Sequence, residues 1–403
     1  MAASSAMNMS LIDALPIEGK RVLIRVDFNV PLENGVVADD SRIRAALPTI
    51  EHAIERGARV ILTSHLGRPK GKPDPALSLA PAGEVLAGHL KREVYLSDRP
   101  IGPAATRLAR DLRDGQVMLL ENVRYHPGET KNDDALARAL AELADFYVND
   151  AFGTAHRAHA STVGVASHIR DKAAGYLIAR EVEALTKLLD APKRGFTAVL
   201  GGAKVSDKIA VIERLLGRVE RILVGGAMAY TFLRALGHET GKSRVEEAQL
   251  ETASHILTQA ERRGVEIVLP IDHGAADGFS STATRVDVDT VDIPAGLMGL
   301  DIGSQTSALF GEHLANAKTI FWNGPMGVFE FAQFAQGTRA VADAVADSSA
   351  WAVVGGGDSV RAVTESGRAG DIAHISTGGG ASLEFLEGRE LPGLAALGIR
   401  RRK

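Results

Sequence analysis

Residues 21–31 read RVLIRVDFNVP, and this stretch decides the fold. A short run of Val, Leu and Ile changes at once to polar residues, which is typical of a buried strand that ends at a loop. Similar runs recur at 59–63, 117–120, 146–148, 197–200, 221–224, 266–269, 319–322, 351–354 and 374–376. Each is followed by polar or glycine residues and then by a stretch of helical period. The alternation predicts parallel sheets with crossover helices.

The length of the chain predicts more than one domain. At 403 residues it exceeds what one hydrophobic core usually supports. We expect an α/β fold with two doubly wound, Rossmann-like parallel-sheet domains at 1–177 and 190–390. A helical hinge at 178–189, before Ala191 and Pro192, joins them. The basic tail at 391–403 is a candidate to pack back on the N-terminal domain.

Composition and charge exclude several classes of protein. The formal net charge of −4 argues against general nucleic-acid binding, which needs an excess of Lys and Arg. The absence of cysteine excludes disulfides and thiolate chemistry. The first ten residues do not resemble a signal peptide, and no apolar run is long enough for a membrane helix. We therefore expect a cytoplasmic, monomeric protein that binds small molecules.

Cationic and amide side chains follow the strands of the first half. Ligands of open parallel sheets bind beyond the carboxyl ends of the strands. In order along the chain, the residues found there are Asp27, Asn29, His65, Arg68, Arg124, His126, Asn149, Asp150, His156, Arg157 and His159. Singly, each is more often an ordinary surface residue. Their recurrence at successive strand ends predicts a site for a small carboxylate or phosphate ligand.

In the second half of the chain, glycines follow the predicted strands instead of cationic residues. They occur at 201–202, 225–226, 324, 355–357 and 378–380, and most precede a stretch of helical period. A helix start offers free N–H groups to a phosphate, so the pattern predicts a nucleotide site. The stretch GHETGKS at 237–243 is one residue too short for a P-loop and does not follow a strand. Residues 355–360 have Val360 where a dinucleotide fingerprint needs glycine.

Charged residues among these glycines suggest phosphate and metal ligands. Lys204 and Lys208 would share one face of a helix that begins near Val205, where two cations oppose the helix dipole unless an anion lies between them. Asp358 follows three glycines, and a carboxylate beside phosphates is the usual protein ligand of Mg²⁺. A plain helix N-cap explains Asp358 equally well. Glu330 is a candidate for a ribose hydroxyl.

Two other classes of protein remain as alternatives. A non-catalytic bilobed anion-binding protein would also use cationic strand ends, but it has no need of five glycine turns with two lysines. A dehydrogenase is disfavoured because the dinucleotide fingerprint is missing.

Six motifs in order along the chain resemble the phosphoglycerate kinase family. They are RVDFNVP at 25–31, HLGRP at 65–69, DAFGTAHR at 150–157, GGAKVSDK at 201–208, WNGPMGVFE at 322–330 and TGGGA at 377–381. The resemblance covers about residues 21–393. It implies reversible phosphoryl transfer between 1,3-bisphosphoglycerate and MgADP, giving 3-phosphoglycerate and MgATP. The sequence departs from the family pattern at two positions, with Ser359 in place of the usual Thr and Leu297 in place of a common Trp. Both departures concern only the packing around the nucleoside.

The resemblance also implies residue roles. The phosphoglycerate ligands would be Asp27, Phe28, Asn29, Arg42, His65, Leu66, Gly67, Arg68, Arg124 and Arg157. The nucleotide ligands would be Gly202, Ala203, Lys204, Lys208, Gly299, Asn323, Glu330, Gly356, Gly357, Asp358 and Ser359, with Asp358 on the metal. Charge on the transferred group would be stabilised by Arg42, Lys208 and the backbone amides of Gly357 and Gly380. A site divided between two domains implies hinge bending.

Overall fold

The computed structural model describes residues 9–400 and divides the chain into two compact units. The first unit contains the chain up to Glu183 and again from Arg389 onward. The second unit runs from Ala184 to Gly388. The division between the two units falls within the helix Tyr176–Asp190.

The first unit is built on a six-stranded parallel sheet. Its elements are β1 Arg21–Arg25, β2 Leu32–Glu33, β3 Val36–Val37, α1 Ser41–Glu55, β4 Arg59–Thr63, α2 Ala80–Leu90, β5 Val94–Leu96, α3 Pro103–Asp111, β6 Val117–Leu119, α4 Asp134–Ala141, β7 Phe146–Asn149, α5 Val165–His168, β8 Lys172–Ala174 and α6 Tyr176–Asp190. The strand order is β5-β6-β4-β1-β7-β8, and β2 and β3 form a separate hairpin.

Both faces of this sheet are covered, which explains the unbroken apolar strand sequences. On β1, Val22 and Ile24 belong to one buried cluster, which also contains Ile50 of α1. Leu23 belongs to a second cluster on the other face, together with Leu140 of α4. Successive side chains of a strand point to opposite faces, so a strand buried on both sides needs apolar residues at every position.

The second unit repeats this architecture. Its elements are β9 Phe196–Leu200, α7 Ile209–Leu215, β10 Arg221–Val224, α8 Met228–Ala235, α9 Leu250–Arg262, β11 Glu266–Val268, β12 His273–Ala276, β13 Val286–Val288, β14 Met298–Ile302, α10 Ser304–Ala315, β15 Thr319–Asn323, α11 Gln336–Asp347, β16 Trp351–Gly355, α12 Gly357–Glu365, β17 His374–Ile375 and α13 Gly380–Leu386. The parallel sheet has the order β11-β10-β9-β15-β16-β17.

The predicted α/β class with two parallel sheets is confirmed, and each predicted strand is present within two residues of its expected bounds. The sequence interpretation missed β5 and β8, which are three-residue edge strands. It also missed an antiparallel sheet in the second unit, with the order β13-β12-β14. Strand β12 reads HGAA and therefore lacks the β-branched and aromatic residues that mark a strand.

The chain returns to the first unit at its C-terminal end. The short helix α14, Pro392–Ala395, follows the second unit, and the amide of Gly393 donates to the carbonyl of Ala155 at 2.8 Å. A Cβ atom at Gly393 would lie 2.9 Å from the Cα of Ala155, so glycine permits this approach. None of the helices within residues 9–400 has the length and apolar character needed to cross a bilayer.

Candidate active site

In the first unit, strand register brings the predicted anion ligands to one edge of the sheet. Residue Arg25 of β1 pairs with Thr63 of β4 and with Asn149 of β7. The loops that follow these strands therefore begin side by side. As a result, Nδ1 of His65 lies 3.8 Å from Oδ1 of Asp27, although the two residues are far apart in sequence.

Asp27 fixes the position of Arg42. The guanidinium of Arg42, in the first turn of α1, donates to Oδ2 of Asp27 at 2.9 Å. Burial alone would raise the pKa of Asp27, but the nearby positive charges of Arg42 and Arg25 help to lower it below its ordinary value. The carboxylate therefore stays ionised, and it holds Arg42 in one orientation. Arg42 lies on a helix and not at a strand end, and its contact with Asp27 brings it to the candidate site.

Asn29 and Arg124 hold the loop that carries His65 and Arg68. The amide of Gly67 donates to Oδ1 of Asn29 at 2.8 Å, and Arg124 donates to the carbonyl of Gly67 at 2.8 Å. Phe28 and Leu66 are buried in the core, so only their backbone atoms are available to a ligand. These contacts position the loop before any ligand binds.

A cavity of about 500 Å³ brings three of the predicted arginines together. Its lining contains Arg68, Arg124 and Arg157, and four other residues add to its polar character: Lys70, His126, Thr130 and Lys131. Burial and the charge of Arg25 lower the pKa of Arg124 to about 10, still well above neutrality. A chain of net negative charge thus concentrates cations locally. The lysines were missed because neither directly follows a predicted strand.

Other strand-end residues have structural partners instead. Oδ1 of Asp150 accepts from the amides of Leu177 and Ile178 at 2.8 and 3.2 Å, so that it caps α6. Burial raises the pKa of Asp150 to about 6. His159 is buried, and its Nδ1 lies 3.7 Å from Oε1 of Glu129. The structure therefore does not bring Asp150 or His159 to the cavity lining.

In the second unit, backbone contacts explain several of the glycines. The amide of Gly201 donates to the carbonyl of Asn323 at 3.0 Å, and that of Gly202 donates to Pro325 at the same distance. A Cβ atom at Gly201 would lie 2.1 Å from the carbonyl oxygen of Pro325, and one at Gly324 would lie 2.1 Å from that of Gly201. The turns after β9 and β15 pack so closely that no side chain fits between them.

Two other glycine turns begin helices. Gly356 and Gly379 are the N-caps of α12 and α13, and both have positive φ, at 89° and 53°. The amides of Gly357 and Gly380 are therefore at helix starts, where N–H groups lack carbonyl partners within the helix. The N-cap interpretation of Asp358 is wrong, because Gly356 occupies that position and Asp358 lies in the first turn.

Lys208 is placed differently from what the sequence predicted. Helix α7 begins at Ile209, so Lys208 is its N-cap, and Lys204 is exposed in the preceding turn. The polar turn between Gly201 and Lys208 delays the helix, so the prediction of a start near Val205 is wrong. Nζ of Lys208 donates to Oδ1 of Asn323, and Nδ2 of Asn323 donates to the carbonyl of Gly355 at 2.8 Å. Burial lowers the pKa of Lys208 to about 8, despite the opposing charges of Asp207 and Asp358.

The remaining predicted nucleotide ligands lie in several environments. Ala203, Glu330 and Asp358 are exposed. Ser359 is buried, and its hydroxyl accepts from the amide of Gly324 at 2.6 Å. Gly299 is on β14, where a Cβ atom would lie 2.1 Å from the hydroxyl of Tyr230.

A second cavity, of about 550 Å³, lies beside β14 in this unit. It is lined by Leu297, Val286 and residues of the 277–284 loop, including the exposed Phe279. Within residues 9–400, no three His, Asp or Glu side chains form a group that could hold a metal ion. Any metal beside Asp358 would need most of its ligands from a bound molecule or water. Such a ligand set is typical of Mg²⁺, which is usually bound by one or two carboxylates together with phosphate oxygens and water.

Comparisons with known proteins agree on one family. The family model for phosphoglycerate kinase matches residues 12–389. A phosphoglycerate kinase of Anaeromyxobacter dehalogenans (strain 2CP-C) is 57% identical over 393 residues, covering 97% of this chain and 99% of the relative. One of Clostridium novyi (strain NT) is 51% identical with the same coverage. The solved structure of phosphoglycerate kinase from Coxiella burnetii is 43% identical, covers 97% of this chain and 99% of its own, and has a TM-score of 0.86.

Proposed function

The chain belongs to the phosphoglycerate kinase family, and we propose that it transfers a phosphoryl group reversibly between the acyl phosphate of 1,3-bisphosphoglycerate and ADP. As a member it is a kinase of glycolysis. The acceptor in the ATP-consuming direction would be the carboxylate of 3-phosphoglycerate. The observation that carries this proposal is the chemical contrast between the two units. One unit concentrates cations, and the other presents glycine-capped helix starts.

The first unit supplies groups suited to 3-phosphoglycerate, which has a carboxylate, a hydroxyl and a phosphate. Arginines bind both anions in the bidentate mode. The proposed ligands are the side chains of Asp27, Asn29, Arg42, His65, Arg68, Arg124 and Arg157, with backbone atoms of Phe28, Leu66 and Gly67. The contact between Asp27 and Arg42 supports this assignment, because it preorganises a cation beside the loop that carries His65.

The second unit supplies groups suited to ATP or ADP. The proposed phosphate ligands are Lys204, Lys208 and the amides of Gly202, Ala203, Gly356, Gly357 and Ser359. Gly299, Asn323 and Glu330 would contact the nucleoside. Asp358 would hold Mg²⁺, together with phosphate oxygens and water. When bound, the ion neutralises charge on the nucleotide phosphates.

We assign stabilisation of the transferred phosphoryl group to Arg42, Lys208 and the amides of Gly357 and Gly380. Phosphoryl transfer needs positioning and charge stabilisation more than covalent catalysis. No general base and no phosphoenzyme are required, because the attacking carboxylate or nucleotide oxygen is already ionised at neutral pH. Hinge bending within residues 178–189 stays a prediction. Small-angle scattering that detects no compaction with both substrates bound would contradict it.

The test of this function is a coupled assay on the purified full chain. ADP formation should require 3-phosphoglycerate, ATP and Mg²⁺ together, and omission of any one should abolish it. Nucleotide binding without ADP formation that depends on 3-phosphoglycerate would refute the proposal. That outcome would favour the alternative of a non-catalytic anion-binding protein, which the comparisons do not support.

A further inference from the structure

A fully buried arginine lies beneath the proposed phosphoglycerate site. Arg25, the last residue of β1, has 0% of its surface exposed. Burial of a guanidinium is costly unless its charge is compensated. Within the part of the chain that the structure describes, no carboxylate lies within ion-pair distance of Arg25. Its three hydrogen-bond partners are a serine hydroxyl, a backbone carbonyl and a histidine ring, namely Ser161, Val26 and His65.

The contact with His65 determines the hydrogen position on the imidazole ring. Nη2 of Arg25 lies 3.1 Å from Nδ1 of His65. A guanidinium has only donors, so Nδ1 must be the acceptor and cannot carry a hydrogen. The neutral ring then carries its hydrogen on Nε2, which has no hydrogen-bond partner among the described residues. This nitrogen is the one left to donate to a ligand.

Without Arg25, Asp27 would favour the opposite arrangement. Oδ1 of Asp27 lies 3.8 Å from the same Nδ1, and a carboxylate attracts a hydrogen to the nitrogen it faces. The charged groups that act on the ring are Asp27, Arg25, Arg124 and Arg42. Burial and the three arginines outweigh Asp27 and hold the pKa of His65 well below its ordinary value of 6.5. Arg25 is the cation in direct contact with Nδ1.

Arg25 is itself held by a buried chain of hydrogen bonds. Nε of Arg25 donates to Oγ of Ser161 at 2.9 Å, and that hydroxyl donates to Oε1 of Glu129 at 2.6 Å. The amide of Ser161 also donates to Oε2 of Glu129, at 3.0 Å. Glu129 is fully buried, and its carboxylate is linked to Arg25 through one intervening side chain, that of Ser161. Ser161 lies in a π-helical turn, Ala160–Gly164, a local irregularity that is common at functional sites.

We propose that Arg25, anchored through Ser161 to Glu129, is a positioning residue that keeps His65 neutral with its hydrogen on Nε2, ready to donate to 3-phosphoglycerate. The substrate part of this inference rests on the proposed function. The hydrogen position does not, because it can be measured without turnover. Arg25 acts only through His65 and does not itself contact the substrate.

The experiment combines NMR with kinetics on the full-length chain. Long-range ¹H–¹⁵N spectra of the histidine rings, assigned with His65→Gln, should show His65 neutral and Nε2-protonated at pH 6.5, the ordinary pKa of a histidine. In Arg25→Met the pKa of the ring should rise towards this value, and the neutral ring should carry its hydrogen on Nδ1. The buried ring of His273, in the second unit, is the internal control and should not change. The KM for 3-phosphoglycerate should rise roughly 10- to 100-fold, the effect of losing one hydrogen bond to a charged ligand group, and the KM for ATP should not change.

Two further variants keep the test decisive. Arg25→Lys preserves a charged donor and should retain the Nε2 hydrogen, with a smaller rise in KM. Ser161→Ala removes the hydrogen-bonded link to Glu129 and should change the hydrogen position and pKa of the His65 ring in the same direction as Arg25→Met. It replaces Arg25→Met in the test if that variant fails to fold.

An unchanged His65 ring in both Arg25→Met and Ser161→Ala, whatever happens to KM, would overturn the inference. Wild-type protein without activity towards 3-phosphoglycerate would refute the proposed function. In that case the NMR result alone would decide the role of Arg25.

Discussion

Replacing Lys208 with methionine should stabilise the protein while it removes activity. Methionine keeps the length of the side chain but carries no charge. Lys208 is largely buried at the N-cap of α7, a position where the helix dipole also disfavours a cation. The free protein therefore holds this ammonium group at a cost, which a bound polyphosphate would offset.

The size of this cost follows from the pKa of Lys208. Burial lowers it from 10.5 to about 8. Since the folded state binds the proton less tightly than the unfolded state, the charge reduces the free energy of unfolding. The reduction is complete below pH 8, where it amounts to about 3 kcal/mol, and it disappears as the pH rises towards 10.5. At pH 10 about 1 kcal/mol should remain.

Urea unfolding of the ligand-free protein measures this difference. Lys208→Met should unfold at higher urea concentration than wild type at pH 7, and the two curves should approach each other at pH 10. Turnover should fall by roughly two orders of magnitude or more, if Lys208 stabilises the transferred phosphoryl group. Lys204→Met is the matched control, since Lys204 is exposed and its removal should leave stability within about 0.5 kcal/mol of wild type.

One result would refute the reasoning about burial. If Lys208→Met has the stability of wild type at pH 7 and the difference does not change with pH, then the ammonium group is not held at a cost. Lower stability of the variant at pH 7 would mean that the hydrogen bond to Asn323 outweighs desolvation.

Arg42→Ala should retain its fold and nucleotide affinity but lose about two to five orders of magnitude in kcat, whereas Arg44→Ala, an exposed arginine of the same helix, should keep normal turnover; near-normal kcat in Arg42→Ala would remove it from the proposed machinery. Gly324→Ala should lower the free energy of unfolding by about 2 to 4 kcal/mol in urea titrations, because its φ is +105° and its Cβ would meet a backbone oxygen. Gly311→Ala, where a Cβ meets nothing within 4 Å, should not destabilise, and equal effects of the two would contradict the close-packing argument. Asp358→Asn should raise the Mg²⁺ concentration needed for half-maximal activity roughly tenfold or more, and an unchanged Mg²⁺ requirement would exclude Asp358 as the metal ligand.

The sequence determined the class of the fold and predicted where the ligand groups lie in it. Strands buried on both faces need unbroken apolar runs, so 10 strands were visible as short stretches of Val, Ile and Leu. Ligands of parallel sheets bind where the strands end, so Asp27, His65 and the glycine turns were predicted as ligand groups from their position alone. Strand β12, which reads HGAA, was not, because small residues form a strand only when neighbouring strands supply its hydrogen bonds.

Only the tertiary structure decided which of these side chains meet and in what state of protonation. Asp27 and His65 follow different strands, and the sheet register places the ends of those strands side by side, so that the two side chains lie 3.8 Å apart. Asp150 and Arg157 are equally polar in sequence, yet one caps a helix and the other lines a cavity. The burial of Arg25 and the lowered pKa of Lys208 have no local signal, because desolvation depends on atoms from distant parts of the chain. A sequence lists the groups available to a site, whereas long-range packing fixes their distances and their charges.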